Sequence, residues 1–318
     1  MARLLIAFLL LFAGLVGGGC TYNETTEEWQ FDAISRDEEI ALGAQYQPEM
    51  IREFGGEIAD PGIVAYVDEI GGRLASYTEG EDPELPWEFT VLNSDVINAF
   101  ALPGGKVFVS AGLARRMENE AELAAVLGHE IGHVSARHAN ERAGSGLAIG
   151  GATMIASIFL GTQIENETMA AFAGLFTVAG GQLVNLQFSR SQESEADRLG
   201  IRYMARAGYN PVGMLGLMRV LQEAKEESGS GRLAILSTHP LPEARIRRVN
   251  GVLEEDFPAA LASPTRDVFA DRFRREMLDR LPPETPVALR PPEHLGGHTS
   301  GLAARWCAHC RGMAVQSD

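Results

Sequence analysis

Two histidines and a glutamate in the segment "LGHEIGHVSARHA" (127–139) have the types and the spacing of a metal site. His129 and His133 are four residues apart, so on a helix both imidazoles project from one face and can reach a single ion. Glu130 stands beside His129, where a carboxylate can take a proton from a water bound to that ion. The pattern H-E-x-x-H therefore indicates metal-assisted hydrolysis. The alternative is two polar histidines on a solvated helix.

The segment around these residues predicts the helix that must carry them. Asn119 is a candidate N-cap, acidic residues follow it and basic residues come near the end, which together favour a helix over about 119–142. Apolar residues cover most of its circumference: Leu123, Ala124, Val126, Leu127, Ile131 and Val134. Such a helix is buried nearly all round. Buried histidines need partners, which favours zinc. His138 is outside the motif spacing, so we expect it at the surface near the helix end.

A second predicted helix supplies a further ligand candidate. In "FSRSQESEADRLGIRYMARAGY" (188–209), Glu193 and Asp197 are four residues apart. Glu193 can ligate the metal while Asp197, one turn on, reaches a ring nitrogen of a ligand histidine. A catalytic zinc has three protein ligands and one open position, which this set provides. Taken alone, the pair is weak evidence, because surface carboxylates are the default interpretation on an acidic protein.

Composition and pattern place these helices in a globular fold. The chain has 318 residues, of which 45% are hydrophobic and 22% charged, enough for a substantial core. A net charge of -16 argues against nucleic acid as a partner. Two helices are predicted within 36–76 around "ADPG", and the strands "WEFTVLNS" and "KVFVSAGL" are expected to pair. A last amphipathic helix is predicted over 263–281. The fold class is therefore mainly α with a small β-sheet (α+β).

The N-terminus has the pattern of an export signal. One basic residue precedes an uninterrupted apolar run over 4–16, and small residues lead to Cys20. The run is short for a membrane span but suits a signal peptide at 1–19. The position of Cys20 resembles a bacterial lipoprotein signal, and Thr21 after it favours the outer membrane, facing the periplasm. Ordinary secretion with an incidental cysteine is the alternative. The polar, acidic residues 20–35 are predicted to be a tether.

Four motifs in this order carry a more specific resemblance: "NAFALPGGKVFVSAGL", "HEIGHVSARHA", "FSRSQESEADRLG" and "STHPLPEARI". Together they resemble the HtpX and CAAX-prenyl-protease family of zinc metallopeptidases, most closely its periplasmic BepA- and LoiP-like branch. The resemblance implies a zincin-like metallopeptidase domain over 36–257, with a helix and a flexible tail over 258–318. It implies one zinc ion per chain, ligated by His129, His133 and Glu193. Glu130 is then the general base, and Asp197 orients a ligand histidine.

Two further residues take candidate roles from the same resemblance. Asn98, in "NAFALPGG", matches a segment at the active-site edge, where an extended substrate can add as a strand. Asn98 could instead only shape the turn. His239, in "STHPLPEAR", matches a histidine that can approach the zinc and close off the water position, which would make the resting enzyme latent. Alternatively, His239 donates a hydrogen bond to the developing oxyanion, or has a purely structural role before Pro240.

Two regions have no settled role at this stage. The stretches 143–164 and 168–189 contain no charged residue and are long enough to span a bilayer. Their many small and hydroxyl residues favour a buried or membrane-leaning helical hairpin beside the cleft. Cys307 and Cys310 flank His309 in "RWCAHCRG", a spacing that suits a redox dithiol or a small metal site. A local disulfide or an unstructured tail is expected there instead.

The resemblance implies a zinc-dependent endopeptidase of the bacterial cell envelope that acts on unfolded or misassembled envelope proteins. We expect it to be held at the membrane through a lipid on Cys20. The alternative is a zinc-stabilised periplasmic chaperone or assembly factor with latent peptidase activity. The intact Glu130 favours the enzyme, because a binding module needs no base at that position. The natural substrate, the cleavage specificity and the oligomeric state are left open.

Overall fold

The computed structural model describes residues 20–144, 186–227, 234–241 and 243–284, with short pieces at 175–176, 178–179 and 182–183. The predicted signal peptide, most of the two uncharged stretches 143–164 and 168–189, and the Cys307–Cys310 segment lie outside the described residues. In the part that is described, no helix is both long and apolar enough to cross a membrane.

The described chain is mainly helical with short strands, which confirms the predicted α+β class. The elements in chain order are β1 (Cys20–Asn23), β2 (Glu28–Phe31), α1 (Arg36–Glu53), α2 (Pro61–Ala75), β3 (Glu88–Leu92), β4 (Ala99–Leu102), β5 (Lys106–Ser110), α3 (Ala111–Ala114), α4 (Glu120–Ser135), β6 (Val178–Ala179), β7 (Gln182–Leu183), α5 (Arg190–Arg206), α6 (Gly213–Glu227), α7 (Ala234–Thr238), α8 (Glu243–Asp256), α9 (Pro258–Ala262) and α10 (Ala270–Phe273). A π-helical turn, Arg274–Leu278, follows α10.

Helices α1 and α2 are the pair predicted around "ADPG", and both begin at side-chain caps. Ser35 accepts a hydrogen bond from the N–H of Glu38, and the Glu38 side chain accepts one from the N–H of Ser35. Asp60 accepts bonds from the first two free N–H groups of α2, and Pro61 occupies the first turn. These caps satisfy donors that a helix cannot satisfy internally, so both starts are set locally.

A three-stranded sheet lies beside the helices in the order β3-β5-β4. The predicted pairing of "WEFTVLNS" with "KVFVSAGL" is found as a parallel β3–β5 pair. The sequence analysis missed β4, which pairs antiparallel with β5 across a turn at "LPGG". Gly104 and Gly105 have φ of 74° and 90° there, which only glycine adopts readily. Among the described residues β4 pairs only with β5, so it is an edge strand.

The central contact of the fold is between α4 and α5, whose main chains nearly touch. A Cβ placed on Gly200 of α5 would lie 3.0 Å from the carbonyl carbon of Gly128 and from the nitrogen of His129. A Cβ on Gly132 would lie 3.1 Å from the carbonyl oxygen of Ala196. Every residue of α4 is buried, as its apolar circumference predicts. The close approach brings the predicted ligand faces of the two helices together.

Helix α4 is shorter than predicted. It ends at Ser135 instead of near 142, because Arg137 adopts a left-handed conformation with φ of 58°. The chain turns there and becomes helical again over 138–144. The guanidinium of Arg137 stabilises this turn through bonds to Asp32 and Glu39. The turn sends the chain back toward α4.

The helix predicted over 263–281 begins later in the structure than the sequence predicts. Residues after α9 form a turn, and helical structure resumes only at α10. The side-chain amide of Asn210 donates to the carbonyl oxygens of Ser263 and Arg266. Asp267 and Phe269 have positive φ. Tertiary hydrogen bonds to the backbone thus stabilise a turn where the apolar periodicity alone favours a helix.

Residues 20–31, within the predicted tether, form an antiparallel hairpin of β1 and β2 that packs on the end of α4. The amide of Asn23 donates to the carbonyl oxygen of Ser135 at 3.0 Å, and that of Gln30 donates to Ala136 at 3.1 Å. The last carbonyl groups of a helix have no partner within it, so these polar side chains satisfy them. A tethering role for the whole of 20–35 stays a prediction.

Candidate active site

The predicted site residues lie on three separate elements. Asn119 caps α4 by accepting from the N–H of Glu122, as the sequence predicts, and α4 then carries His129, Glu130 and His133. Helix α5 carries Glu193 and Asp197. His239 directly follows α7. All six of these candidate residues, His129, Glu130, His133, Glu193, Asp197 and His239, are buried at 2–4% exposure.

Four of these side chains direct one possible ligand atom each at a common point. Nε2 of His133 lies 3.0 Å from Nε2 of His129 and 3.3 Å from Oε1 of Glu193. Nδ1 of His239 lies 3.3 Å from Nε2 of His129 and 2.9 Å from Oε1 of Glu193. The four ligand atoms all lie within 4.8 Å of one another.

This cluster fits a metal ion by size and by donor type. A tetrahedral zinc with bonds of about 2.0–2.1 Å has its ligand atoms about 3.3–3.4 Å apart, close to the separations found here. Burial lowers the pKa of His133 well below its usual value, so the ring is the neutral imidazole that can ligate. Oε2 of Glu130 and Nε2 of His239 are buried and have no hydrogen-bond partner among the described residues.

Glu193 is held as a carboxylate, the form that binds a cation. Burial alone would raise the pKa of Glu193, but the charges of His239 and Arg245 hold it well below its usual range. Arg245 forms an ion pair with the Glu193 carboxylate. Because the group is ionised and already inside the protein, no proton must be removed from it when a metal binds.

Glu130 lies beside the ligand cluster and not within it. Its side chain is buried, and burial raises its pKa, although the neighbouring His239 and His129 oppose that shift. Oε1 of Glu130 lies 3.6 Å from Nε2 of His239. A carboxyl group with a raised pKa is suited to take up a proton during a reaction and to release it again.

Asp197 lies against the ring of His129, and its partner Arg245 was missed in the sequence analysis. Oδ1 of Asp197 lies 3.1 Å from Nδ1 of His129, so this ring donates its Nδ1–H and keeps Nε2 free as a ligand. Arg245 donates to both oxygens of Asp197, at 2.6 Å from Nε and 2.7 Å from Nη2. Burial would raise the pKa of Asp197, but Arg245 holds it below its usual value. The signal for Arg245 was present in the motif "STHPLPEARI".

The prediction that His138 lies at the surface is wrong. Its side chain is completely buried, and its Nδ1 lies 2.8 Å from Nδ1 of His133. Nε2 of His138 lies 3.1 Å from Oε2 of Glu195. The left-handed turn at Arg137 ends α4 and returns the chain toward His133, so helical spacing no longer applies at this position. On the other side, the ring of Phe188 stacks on His133 with centroids 3.9 Å apart.

Asn98 and Cys20 are not members of the ligand cluster. Asn98 directly precedes edge strand β4, and its N–H donates to the Ser110 hydroxyl at 3.1 Å. Its buried Oδ1 has no hydrogen-bond partner in the described part of the chain. The N–H of Ile235 in α7 donates to the carbonyl oxygen of Ile97, so the segment that carries His239 covers this end of β4. Cys20 begins β1 and is exposed.

The known proteins that this chain resembles are named as proteases or metalloendopeptidases. The model of peptidase family M48 matches residues 64–253. The chain is 34% identical over 240 residues to the beta-barrel assembly-enhancing protease of Yersinia pestis, covering 74% of this chain and 48% of the relative. It is 35% identical over 222 residues to the protein of that name from Escherichia coli K12, covering 67% and 43%. It is 32% identical over 257 residues to the mitochondrial metalloendopeptidase OMA1 of Schizosaccharomyces pombe, covering 78% and 73%.

The chain spans about half the length of the beta-barrel assembly-enhancing proteases that it matches. The matched family segment extends over more than half of the chain and contains α4 and α5. It therefore includes the H-E-x-x-H motif and the second ligand helix that contacts it. The chain belongs to peptidase family M48, which confirms the zinc metallopeptidase family that its motifs predict.

Proposed function

We propose that this chain is a zinc-dependent endopeptidase of the bacterial cell envelope that hydrolyses peptide bonds of misfolded or misassembled proteins. The observation that carries the proposal is the convergence of His129, His133 and Glu193 beside the buried carboxyl group of Glu130. Two neutral nitrogen donors, one carboxylate and an adjacent base are what metal-assisted hydrolysis requires. Membership of peptidase family M48 supports the same assignment.

One zinc ion per chain is the metal that this donor set favours. Nitrogen and carboxylate donors at tetrahedral spacing are typical of catalytic zinc sites. When bound, the ion supplies Lewis acidity, which lowers the pKa of water at the site to about 7 and polarises the scissile carbonyl. His129, His133 and Glu193 would hold it.

Glu130 is the general base. It takes a proton from the attacking water and passes it to the amine of the leaving peptide. Burial raises the pKa of Glu130, which makes the carboxyl group a better proton acceptor than an exposed glutamate. Its lack of a hydrogen-bond partner at Oε2, among the described residues, leaves one oxygen available for this transfer.

Four other side chains hold the histidine ligands in position. Asp197, itself fixed by Arg245, accepts from Nδ1 of His129. His138 bonds to Nδ1 of His133, and Phe188 stacks on the same ring. Partners of this kind fix the orientation of a ligand ring and strengthen its free nitrogen as a donor.

His239 acts as a brake on the resting enzyme. Its Nδ1 lies at ligand spacing from His129 and Glu193, where it would fill the position that water needs. If His239 instead donated a hydrogen bond to the oxyanion, its ring would lie farther from the candidate metal ligands. The geometry therefore favours the brake over that alternative. The hydrogen bond from the N–H of Ile235 to the carbonyl oxygen of Ile97 also holds the segment that carries His239 against the end of β4. Displacement of this segment would open the water position and the strand edge together.

An extended substrate would add along the free edge of β4, with Asn98 as a contact. The edge strand offers main-chain donors and acceptors of the kind that recognise extended peptides. The unpartnered Oδ1 of Asn98 supports this role, because an extended chain carries N–H groups that can satisfy it. This mode of binding selects unfolded segments and excludes folded ones.

The envelope location and the substrates rest on the sequence and on the relatives' names. The names beta-barrel assembly-enhancing protease and metalloendopeptidase support a protease that acts on envelope proteins. The signal pattern at 1–19 and the exposed Cys20 support an outer-membrane lipoprotein that faces the periplasm, anchored through lipid on that cysteine. The acidic net charge of -16 gives no reason to expect a nucleic-acid partner.

The test is hydrolysis of an unfolded model protein by the purified full chain with stoichiometric zinc, compared with Glu130→Gln and His239→Ala. Glu130→Gln keeps the side-chain volume and removes the base, so cleavage should fall by about 10²–10⁴-fold while zinc content is unchanged. His239→Ala should cleave faster than the parent. Zinc content, measured in each variant, separates loss of the base from loss of the metal.

The alternative function predicts a different outcome. A zinc-stabilised chaperone would bind zinc and suppress aggregation of the client, yet neither the parent nor His239→Ala would cleave it. Equal cleavage by the parent and Glu130→Gln would also exclude the proposed mechanism. A slower His239→Ala would favour oxyanion stabilisation over the brake.

A further inference from the structure

The β1–β2 hairpin has two chemically different faces. Directly opposed residues of an antiparallel pair share a face, and successive residues alternate. The register pairs Tyr22 with Trp29 and Thr21 with Gln30. Asn23 and Gln30 therefore point to one face, where they bind the end of α4. Tyr22 and Trp29 lie on the opposite face, directed away from the body of the protein.

This outer face is aromatic and open to solvent. Trp29 is 73% exposed and Tyr22 is 50% exposed, the two highest values among large hydrophobic residues in the described part of the chain. Their rings contact each other edge to face, with centroids 5.8 Å apart. Tryptophan and tyrosine are the residues enriched where a protein meets the headgroup level of a bilayer, because each has an apolar ring and one polar group.

The position of Cys20 in the hairpin indicates what lies next to this face. Cys20 is exposed, begins β1, and shares the outer face with Tyr22 because the two are two residues apart in one strand. The uninterrupted apolar run of the sequence ends at residue 16. A lipid on Cys20, or the apolar run itself, would therefore enter a bilayer directly beside the two aromatic rings.

We propose that the outer face of the β1–β2 hairpin docks on the lipid bilayer, with Tyr22 and Trp29 at headgroup level. This inference rests on the membrane attachment in the proposed function and adds a second contact to it. The hairpin is bound to α4 through Asn23 and Gln30, so docking fixes the orientation of the active-site helix relative to the membrane. The anchor then holds the active site at a set angle instead of on a free tether.

Charge indicates which kind of bilayer suits this face. Glu24, Glu27 and Glu28 lie at the turn end of the hairpin, and the chain carries a net charge of -16. An anionic lipid surface repels such charges, and a zwitterionic one does not. Docking should therefore be strongest on zwitterionic lipid and should weaken as anionic lipid is added at low ionic strength.

The experiment is fluorescence quenching of the full chain reconstituted in zwitterionic phosphatidylcholine vesicles, with bromine atoms placed near the headgroup end of the acyl chains. Trp29 is one of three tryptophans, so its complete quenching removes about a third of the emission if the three emit equally. Trp29→Phe should lack that quenched component. Tyr77→Ser, which changes an exposed aromatic residue outside the hairpin, should leave it unchanged.

Flotation of the same vesicles separates failure of the docking from failure of the anchor. If the parent floats with the vesicles and loses no more emission than Trp29→Phe, the docking is refuted and the anchor stands. If it does not float, both are refuted, whereas the peptidase assay stands apart from either. A doubled mass in detergent that Trp29→Ser returns to a monomer, with no lipid quenching, would assign the face to a second copy and overturn the proposal.

Discussion

We expect the contact between α4 and α5 to set the positions of the candidate metal ligands, and Gly200→Ala tests this expectation. The Cβ added at Gly200 would lie 3.0 Å from the carbonyl carbon of Gly128 and from the nitrogen of His129. Both are main-chain atoms, which cannot rotate away. The two helices must therefore separate by a few tenths of an ångström, and His129 must move relative to Glu193.

The magnitude follows from two opposing effects. Alanine stabilises a helix interior by about 1 kcal/mol relative to glycine. Overpacking in a close-packed core costs about 1–3 kcal/mol. Gly72 of α2 provides the matched control, because it is exposed and its added Cβ meets nothing within 4 Å. Gly72→Ala should gain the stability that alanine gives a helix without the steric clash expected at Gly200. The free energies of unfolding of the two variants should therefore differ by about 1–3 kcal/mol.

Urea unfolding of the parent and both variants, in the presence of a chelator, measures the packing effect without any contribution from metal binding. Zinc affinity is then measured by competition with a chromophoric chelator. We expect Gly200→Ala to bind zinc about tenfold more weakly, the lower end of the loss when the groups that orient metal ligands are disturbed. Gly72→Ala should bind it as the parent does. If Gly200→Ala is as stable as Gly72→Ala and binds zinc equally well, the close crossing does not set the site.

Substitutions at two further residues test local features. Hydrogen bonds from the N–H and hydroxyl of Ser35 lower the pKa of Glu38 below its usual value, so this carboxylate stabilises α1 above its unfolded pKa and loses that effect as the pH falls through the folded pKa. Ser35→Ala should cost about 1 kcal/mol in urea unfolding at pH 7 and less at pH 3, and an equal cost at both would contradict the capping box. Arg137→Ala removes the cation that pairs with Asp32 and buried Glu39. It should lower the free energy of unfolding by about 3 kcal/mol, and Arg137→Gly, which relieves the left-handed backbone, should recover only about 1 kcal/mol of that.

The sequence predicts the parts of the site that depend on local periodicity. His129 and His133 share a face because a helix repeats every 3.6 residues, and Glu193 and Asp197 share one for the same reason. The N-cap at Asn119 is also a local feature, and the structure has it. The order of the motifs identified the family, which the family match confirms. Periodicity alone does not say that the two helices meet.

The parts that were missed depend on contacts between residues far apart in the chain. His138 was expected at the surface because helical spacing was extended through a residue that turns the backbone left-handed. Arg245 lies within the motif "STHPLPEARI", but only the fold brings it against Asp197. The polar composition of residues 20–31 predicts a tether and gives no sign of the hairpin that they form. Two of these polar side chains, Asn23 and Gln30, bind carbonyl groups at the end of α4. Amino-acid composition alone does not indicate such contacts.

The contacts around α4 share one physical role, which is to hold the helix and its candidate ligands in place. Asp197 and Arg245 fix the ring of His129, His138 fixes the ring of His133, and the hairpin satisfies the last carbonyl groups of the helix. Local sequence thus determines which side chains can be metal donors, whereas the orientation of those side chains depends on the tertiary fold. A metal site tolerates little misplacement of its ligands. Substitutions in the hairpin or at α8, remote in sequence from H-E-x-x-H, should therefore weaken zinc binding before they unfold the protein.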